Sequence, residues 1–183
     1  MTQKRAIVLV DGSNFYFKLR DLKLHQLLTF DFSSFASSLI GKSKLISATY
    51  YVGKVRTDGT ERTKKMLADQ QRLFAYLKKH NFTYSLGYLL KSDGALHEKG
   101  VDVQIAVDML VAAYENQCDR IYLVSSDTDL IPAIKKAQEK GKTVIYVGFS
   151  HLVSKALVAS CRETQTLTKD ILLQFIQKQE KAA

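Results

Sequence analysis

The fold is indicated by one short stretch, Ala6-Ile-Val-Leu-Val10, and by the Asp11-Gly-Ser-Asn14 that follows it. The first five residues are a continuous apolar run, which is typical of a strand buried on both faces of a parallel sheet. The next four residues interrupt that run and lead into a predicted helix that extends to Leu24. The stretch therefore predicts a buried strand, a helix after it and an aspartate at the junction.

The same alternation continues along the rest of the 183 residues. Strands are predicted at 44–52, 82–90, 120–124 and 143–147, and helices at 32–40, 61–80, 101–114, 130–140, 151–159 and 168–178. No repeat or flexible linker interrupts the pattern, and Pro132 is the only proline. Strands that alternate with helices form a mostly parallel sheet covered by helices on both faces. We therefore expect a single three-layer, Rossmann-like α/β domain over residues 1–183.

The composition limits the class of protein. The apolar share of 46% and the charged share of 25% are those of an ordinary globular chain. No apolar run reaches the roughly 18 residues of a membrane-spanning helix. The first residues lead straight into a strand and lack the long apolar core of a signal peptide, so we expect a cytoplasmic protein. Cys118 and Cys161 have no zinc-ligand spacing, which favours two reduced thiols.

The charge balance indicates the kind of partner. Lys and Arg number 27 against 18 Asp and Glu, which gives a net charge of +9 and favours polyanions, above all nucleic acid. We expect phosphate contacts from basic residues near the ends of the predicted strands, although a solvated charged loop explains them equally well. These residues are Lys54, Arg56, Arg62, Lys64, Lys65 and Lys99.

Four aspartates are predicted to meet at one edge of the sheet. Asp11 follows the first strand, Asp127 and Asp129 follow the fourth, and Asp102 begins the helix that leaves the third. In an open parallel sheet, ligands bind beyond the carboxyl ends of the strands. Each aspartate also has a structural alternative, because an aspartate at a helix start commonly caps the helix. For Asp129, just before Leu130 and Pro132, capping and chemistry are equally favoured.

Crowded carboxylates stay ionised only with a cation between them. Oxygen ligands without His or Cys select a hard ion, Mg²⁺ or Mn²⁺, and such ions bind phosphate oxygens well. An acidic site on a basic protein therefore suggests metal-assisted phosphate chemistry. Asp108 lies about 9 Å further along the helix than Asp102 and roughly 120° around it, so we expect it to support the site and not to share the ion.

Three blocks of the sequence resemble the signatures of NYN domains, and most closely those of the LabA-like (DUF88) group of the PIN-like nuclease superfamily. The blocks are Val10-Asp-Gly-Ser-Asn14, Lys99-Gly-Val-Asp-Val103 together with Asp108, and Ser125-Ser-Asp-Thr-Asp-Leu130. The resemblance spans roughly residues 5–165 in the expected order. It implies a PIN-like fold and endonucleolytic cleavage of RNA with Mg²⁺ or Mn²⁺.

The resemblance also assigns roles to residues. The acidic positions of the family fall on Asp11, Asp102, Asp127 and Asp129, and Asn14 matches the polar companion of the first acid. Members commonly have Gly-Asp-Ser-Asp-Phe where this chain has Ser126-Asp-Thr-Asp-Leu130, a departure that keeps both acids. Some members of the family are thought to be regulators, so the resemblance implies the site more strongly than the activity.

The leading hypothesis is accordingly a metal-dependent endoribonuclease, with RNA as partner and a homo-oligomer left open. The second is an RNA-binding regulatory module of the same fold with little or no catalysis. A phosphohydrolase of the haloacid dehalogenase type needs a second Asp two residues after the first, where this chain has Ser13. A TOPRIM-like site needs a glutamate after the first strand, and Asp11 occupies that place.

Overall fold

A computed structural model describes residues 2–92 and 95–176, and it describes side chains outside 91–97. Seven strands lie within these residues: β1 Arg5–Asp11, β2 Lys44–Lys54, β3 Thr83–Ser92, β4 Ala95–Lys99, β5 Arg120–Val124, β6 Thr143–Phe149 and β7 Glu163–Leu167. The helices are α1 Gly12–Asp21, α2 Phe32–Ile40, α3 Glu61–Lys79, α4 Val101–Tyr114, α5 Ile131–Glu139, α6 Lys155–Ser160 and α7 Lys169–Leu173. Short 3-10 helices at Leu27–Thr29 and Thr128–Leu130 complete the described elements.

The strands form one sheet in the order β4-β3-β2-β1-β5-β6-β7. All neighbouring strands are parallel except β3 and β4, which are antiparallel. The chain passes from β1 to β2 and β3 on one side, and then returns to build β5, β6 and β7 on the other. The direction of winding thus reverses beside β1, and a sheet of this kind binds ligands at the carboxyl end of such a switch point.

The side chains of β1 divide the core into two layers. Ala6, Val8 and Val10 belong to the apolar cluster formed with α1, α2 and α3. Ile7 and Leu9 belong to the opposite cluster, formed with α4 and α5. Because both faces of β1 are covered, its sequence is a continuous apolar run and not an alternating one. The predicted α/β fold with three layers and a mostly parallel sheet is therefore confirmed.

Both faces of the second half of β2 are covered as well. Tyr50 and Tyr51 are each 1% exposed. Tyr50 packs on the α1–α3 side and Tyr51 on the α4 side.

Two strands were absent from the sequence prediction, and both are at edges of the sheet. β4 pairs only with β3, and β7 only with β6. The residues of β7, Glu-Thr-Gln-Thr-Leu, are mostly exposed and polar. An edge strand is kept polar because its free side would otherwise pair with another chain, so it carries no apolar run to detect.

The last two helices are shorter than predicted. The helix placed at 151–159 begins only at Lys155, because the side chain of Ser154 caps it by accepting a hydrogen bond from the Leu157 amide. The helix placed at 168–178 ends at Leu173, and residues 177 and 178 lie outside the described residues. Among the helices of the described residues, none is both long and apolar enough to cross a membrane.

Candidate functional site

A cavity of about 210 Å³ opens at the carboxyl edge of the sheet beside the switch point. It receives residues from the end of β1, from the turn between β4 and α4, and from the loop after β5. We call it the acidic cavity because four of its seven lining residues are carboxylates. The lining consists of Asp11, Glu98, Lys99, Gly100, Val101, Asp102 and Asp127.

Asp11 is the most buried of these acids, at 8% exposed. Its Oδ1 accepts a hydrogen bond from the backbone amide of Asn14 at 3.0 Å, and its Oδ2 accepts one from the Ser125 hydroxyl at 2.9 Å. Burial raises the pKa of Asp11 to about 6, against the lowering effect of these two hydrogen bonds, and the nearby charges of Glu98 and Asp127 raise it further. The carboxylate at the end of β1 is therefore held in a position where its charge is unfavourable unless a cation neutralises it.

Asp127 is linked to Asp11 through Ser125. The Ser125 hydroxyl accepts a hydrogen bond from the Asp127 amide at 3.1 Å while it donates to Asp11. Asp127 also caps the 3-10 helix that follows it, since its Oδ1 accepts a hydrogen bond from the Asp129 amide at 2.9 Å. The helix-capping role that the sequence allowed for Asp129 is therefore performed by Asp127.

Asp129 and Ser126 lie outside the lining of the acidic cavity. Asp129 is exposed, in the first turn of the 3-10 helix. The Ser126 hydroxyl is 3.4 Å from the Tyr146 hydroxyl, on the β6 side. Of the four aspartates predicted at the edge, the structure brings together Asp11, Asp102 and Asp127.

Asp108 is on α4 and does not line the acidic cavity. Its Oδ2 accepts a hydrogen bond from the Tyr51 hydroxyl at 2.8 Å, and its Oδ1 accepts one from Gln104 Nε2 at 2.8 Å. These bonds tie α4 to β2 below the cavity. Asp108 therefore helps to fix the helix that carries Asp102.

The sequence prediction missed Glu98, which lies in the edge strand β4. Its Oε2 accepts hydrogen bonds from the Ser13 hydroxyl at 2.9 Å and from the backbone amide of Gly53. A Cβ at Gly53 would lie 2.9 Å from that oxygen, so glycine permits the close approach. Gly53 is a buried residue of β2. The only signal for Glu98 was its position four residues before Asp102.

The predicted basic residues are distributed around this edge. Lys99 lines the acidic cavity itself and is exposed. The Lys64 ammonium forms an ion pair with Glu61 at 2.8 Å, so its charge is partly neutralised. The remaining predicted contacts are exposed on the end of β2, the loop after it and the start of α3: Lys54, Arg56, Arg62 and Lys65.

The carboxylate oxygens of the acidic cavity are the kind of ligand that a hard divalent ion prefers, although they do not form a complete coordination shell. Within the described residues, no group of three or more His, Cys, Asp or Glu side chains is arranged so that it could hold a metal ion. The acidic cavity offers oxygen donors alone, and Mg²⁺ usually keeps several of its waters when it binds through one or two carboxylates. Asn14 does not line the cavity, although its side chain has a buried Oδ1 that lacks a hydrogen-bond partner within the described residues. The residues therefore fit an ion held partly through water.

The burial of Asp11 predicts an unusual pH dependence of stability in metal-free protein. Its pKa is about 6 in the folded chain and near 3.8 when unfolded, so the folded state holds the proton more tightly. Stability is then lost as pH rises from about 4 through about 6. Asp11→Asn removes this loss. The free energy of unfolding of the variant relative to wild type should therefore be higher by about 2 kcal/mol at pH ~8 than at pH ~4.5.

Urea unfolding of both proteins in a chelator at these two pH values measures the effect. Other titrating groups cancel, because each variant is compared with wild type at the same pH. An equal difference between the two proteins at both pH values would show that the Asp11 carboxylate is not desolvated.

Comparisons with known proteins agree with this architecture. The model of the NYN domain family matches residues 5–168. A crystal structure of a protein of unknown function from Vibrio parahaemolyticus superimposes with a TM-score of 0.71 at 22% identity, and covers 96% of this chain and 97% of that one. At this identity the likeness shows the fold alone.

Two further similarities are partial. An uncharacterized protein of Methanocaldococcus jannaschii is 44% identical over 57 residues, which is 31% of this chain and 24% of that protein. The match thus spans about a quarter of the length of that relative. The flap endonuclease of bacteriophage T5, in a complex with DNA and metal ions, shares 18% identity and a TM-score of 0.35 over 69% of this chain and 50% of that one.

Proposed function

This chain belongs to the NYN domain family, whose members have a nuclease fold, and we propose that it is a metal-dependent endoribonuclease of the LabA-like branch. One observation carries the proposal: four carboxylates line one cavity at the switch point of a chain whose net charge is +9. A basic protein attracts a polyanion, and an acidic cavity within its surface can act on that polyanion only with a cation between them.

In the proposed mechanism, Asp11, Asp102 and Asp127 would hold Mg²⁺ or Mn²⁺, with Glu98 beside them. The bound ion would polarise a phosphoryl oxygen and lower the pKa of the attacking water. The water oxygen would form a bond to phosphorus and release one proton to solvent, while one phosphorus–oxygen ester bond breaks. The leaving oxygen would take up a proton from solvent, so the products are a phosphate end and a hydroxyl end. Asp129 is exposed in the 3-10 helix and does not line the acidic cavity, so we propose it as a residue that would orient the attacking water and not as a direct ligand.

The residues of the chain have separate tasks in this mechanism. The Ser125 hydroxyl fixes the position of the Asp11 carboxylate relative to the backbone of Asp127. Ser13 and the Gly53 amide hold Glu98. Lys99, the cation of the cavity lining, would contact a non-bridging oxygen of the scissile phosphate. The exposed cations of β2 and α3 would hold phosphates further along the strand.

The test is incubation of purified protein with single-stranded and structured RNAs in Mn²⁺, in Mg²⁺ and in a chelator. We expect internal cleavage that depends on the divalent ion and stops in the chelator. RNA left intact under both ions by folded protein would contradict the proposal.

A second candidate, an RNA-binding module without catalysis, is favoured by the absence of a ready coordination set among the described residues. It predicts RNA binding that weakens steeply with salt, because bound phosphates release counterions, and no cleavage under any ion. Cleavage in the same assay decides against it.

A further inference from the structure

A second and larger cavity, of about 580 Å³, lies beside the acidic cavity on the α1–α3 face of the sheet. Its floor is formed by Tyr50 and Val52 of β2. Its walls are α1 and α3, and its outer rim is the segment 25–29 between α1 and α2. We call it the aromatic groove, because Tyr16, Phe17 and His25 stand together on its α1 side.

The aromatic groove adjoins the acidic cavity at the junction of β1 and α1. Gly12 and Ser13 line the groove, and Asp11, the preceding residue, lines the cavity. The Ser13 hydroxyl donates to Glu98, which is itself part of the cavity lining. A nucleic-acid strand bound at the acidic cavity would therefore lie next to the groove, because Gly12 of the groove directly follows Asp11 of the cavity.

The α1 wall presents aromatic surface to solvent. Phe17 is 48% exposed, and the guanidinium of Arg20 lies 4.7 Å from the centre of its ring. The Tyr16 ring is 6.2 Å from the His25 ring at an angle of 85°. Exposed aromatic rings beside a cation are the surface on which unpaired bases stack, because every base has an apolar face.

The α3 wall carries positive charge along the same edge. Asp69 lines the groove, and Arg62, Lys65 and Arg72 recur with it at helical spacing, so all four share one side of the helix. Arg72 forms an ion pair with Asp69 at 3.2 Å, whereas Arg62 and Lys65 are the two further exposed cations on that side. This charge favours a ligand that carries phosphates over a neutral apolar molecule.

We propose that the aromatic groove binds one unstacked base of a single-stranded RNA whose neighbouring phosphate lies at the acidic cavity. The inference rests on the proposed function for the identity of the nucleic acid. Bases in an RNA duplex are stacked and paired, and cannot enter such a groove. The protein would therefore select a single-stranded segment, and the base next to the scissile bond would position that bond.

The experiment measures binding of a single-stranded RNA oligonucleotide in a chelator, where no cleavage interferes. Phe17→Ala, at a half-exposed position, should weaken binding about tenfold, which is the order of the contribution of one base stacked on an aromatic ring. Leu28→Ala, at 44% exposed on the outer rim, should also weaken binding. The matched control is Val107→Ala, at 46% exposed on α4, which packs on the other face of the sheet.

A scan of the oligonucleotide with single abasic positions identifies the base. One position should weaken binding to wild type about tenfold and have little further effect on Phe17→Ala, because both changes remove the same contact. An abasic effect that persists unchanged in Phe17→Ala would overturn the inference, as would equal affinity of Phe17→Ala and the Val107→Ala control. RNA that is bound in this way and never cleaved would overturn the proposed catalysis alone. RNA that is cleaved with no dependence on Phe17 or Leu28 would overturn the groove alone.

Discussion

Asp11→Asn is expected to lower divalent-ion-dependent RNA cleavage about a hundredfold or more, a loss typical of removing one principal electrostatic group from an active site. The amide has almost the shape of the carboxylate but no charge to hold a cation. Its oxygen can still accept the hydrogen bond of the Asn14 amide, and the Ser125 hydroxyl can rotate to suit an amide partner. We therefore expect the fold to persist while the activity is lost.

The control for this variant is Asp119→Asn, which also replaces an aspartate by its amide. Asp119 precedes β5 and pairs with Arg5 at the opposite edge of the sheet from the acidic cavity, so its variant should retain cleavage within a few-fold of wild type. Initial rates in Mn²⁺ at equal concentrations of folded protein compare the three proteins. Equal residual cleavage by wild type and Asp11→Asn would identify a contaminating nuclease.

The sequence predicted the central part of the fold because burial on two faces leaves a direct signature. β1 and β5 are almost wholly apolar, since helices cover both sides of the sheet there. The edge strands β4 and β7 have one strand neighbour each and carry polar residues, so no periodic pattern distinguishes them from loops.

The contrast between central strands and edge strands also explains which residues near the acidic cavity could be predicted. Asp11 and Asp127 could be predicted because parallel strands end at one edge of the sheet, whatever the detail of their loops. Glu98 could not, because β4 runs antiparallel to its neighbour and its direction depends on an unpredicted hairpin. Asp129 was assigned to the edge with Asp127, but the 3-10 turn between them directs the second side chain to solvent. Spacing along the chain determines such directions only when the local backbone is regular.

Gly12→Ala is expected to destabilise the protein by about 3 kcal/mol, the upper range for an overpacked core position. A Cβ at residue 12 would lie 2.2 Å from Cε1 of Tyr50 and 2.5 Å from the carbonyl oxygen of Tyr51. Tyr50 is buried and its hydroxyl donates to the Gly12 carbonyl at 3.0 Å, so its ring has no free direction in which to move. The Tyr51 oxygen belongs to the backbone of β2, which no change of side-chain rotamer can relieve. Either α1 or β2 must shift, and Asp11 would shift with them.

Urea unfolding at one pH measures this loss, and Gly141→Ala separates steric clash from backbone conformation. Gly141 follows the end of α5 with a φ of +78° and has nothing within 4 Å of its missing Cβ, so its variant should lose only about 1 kcal/mol from the unfavourable left-handed backbone. If α1 and β2 approach each other as described, the loss at Gly12 must exceed the loss at Gly141 by a clear margin. Equal losses would mean that the close contact between the first turn of α1 and β2, which positions Asp11 at the acidic cavity, is not present in solution.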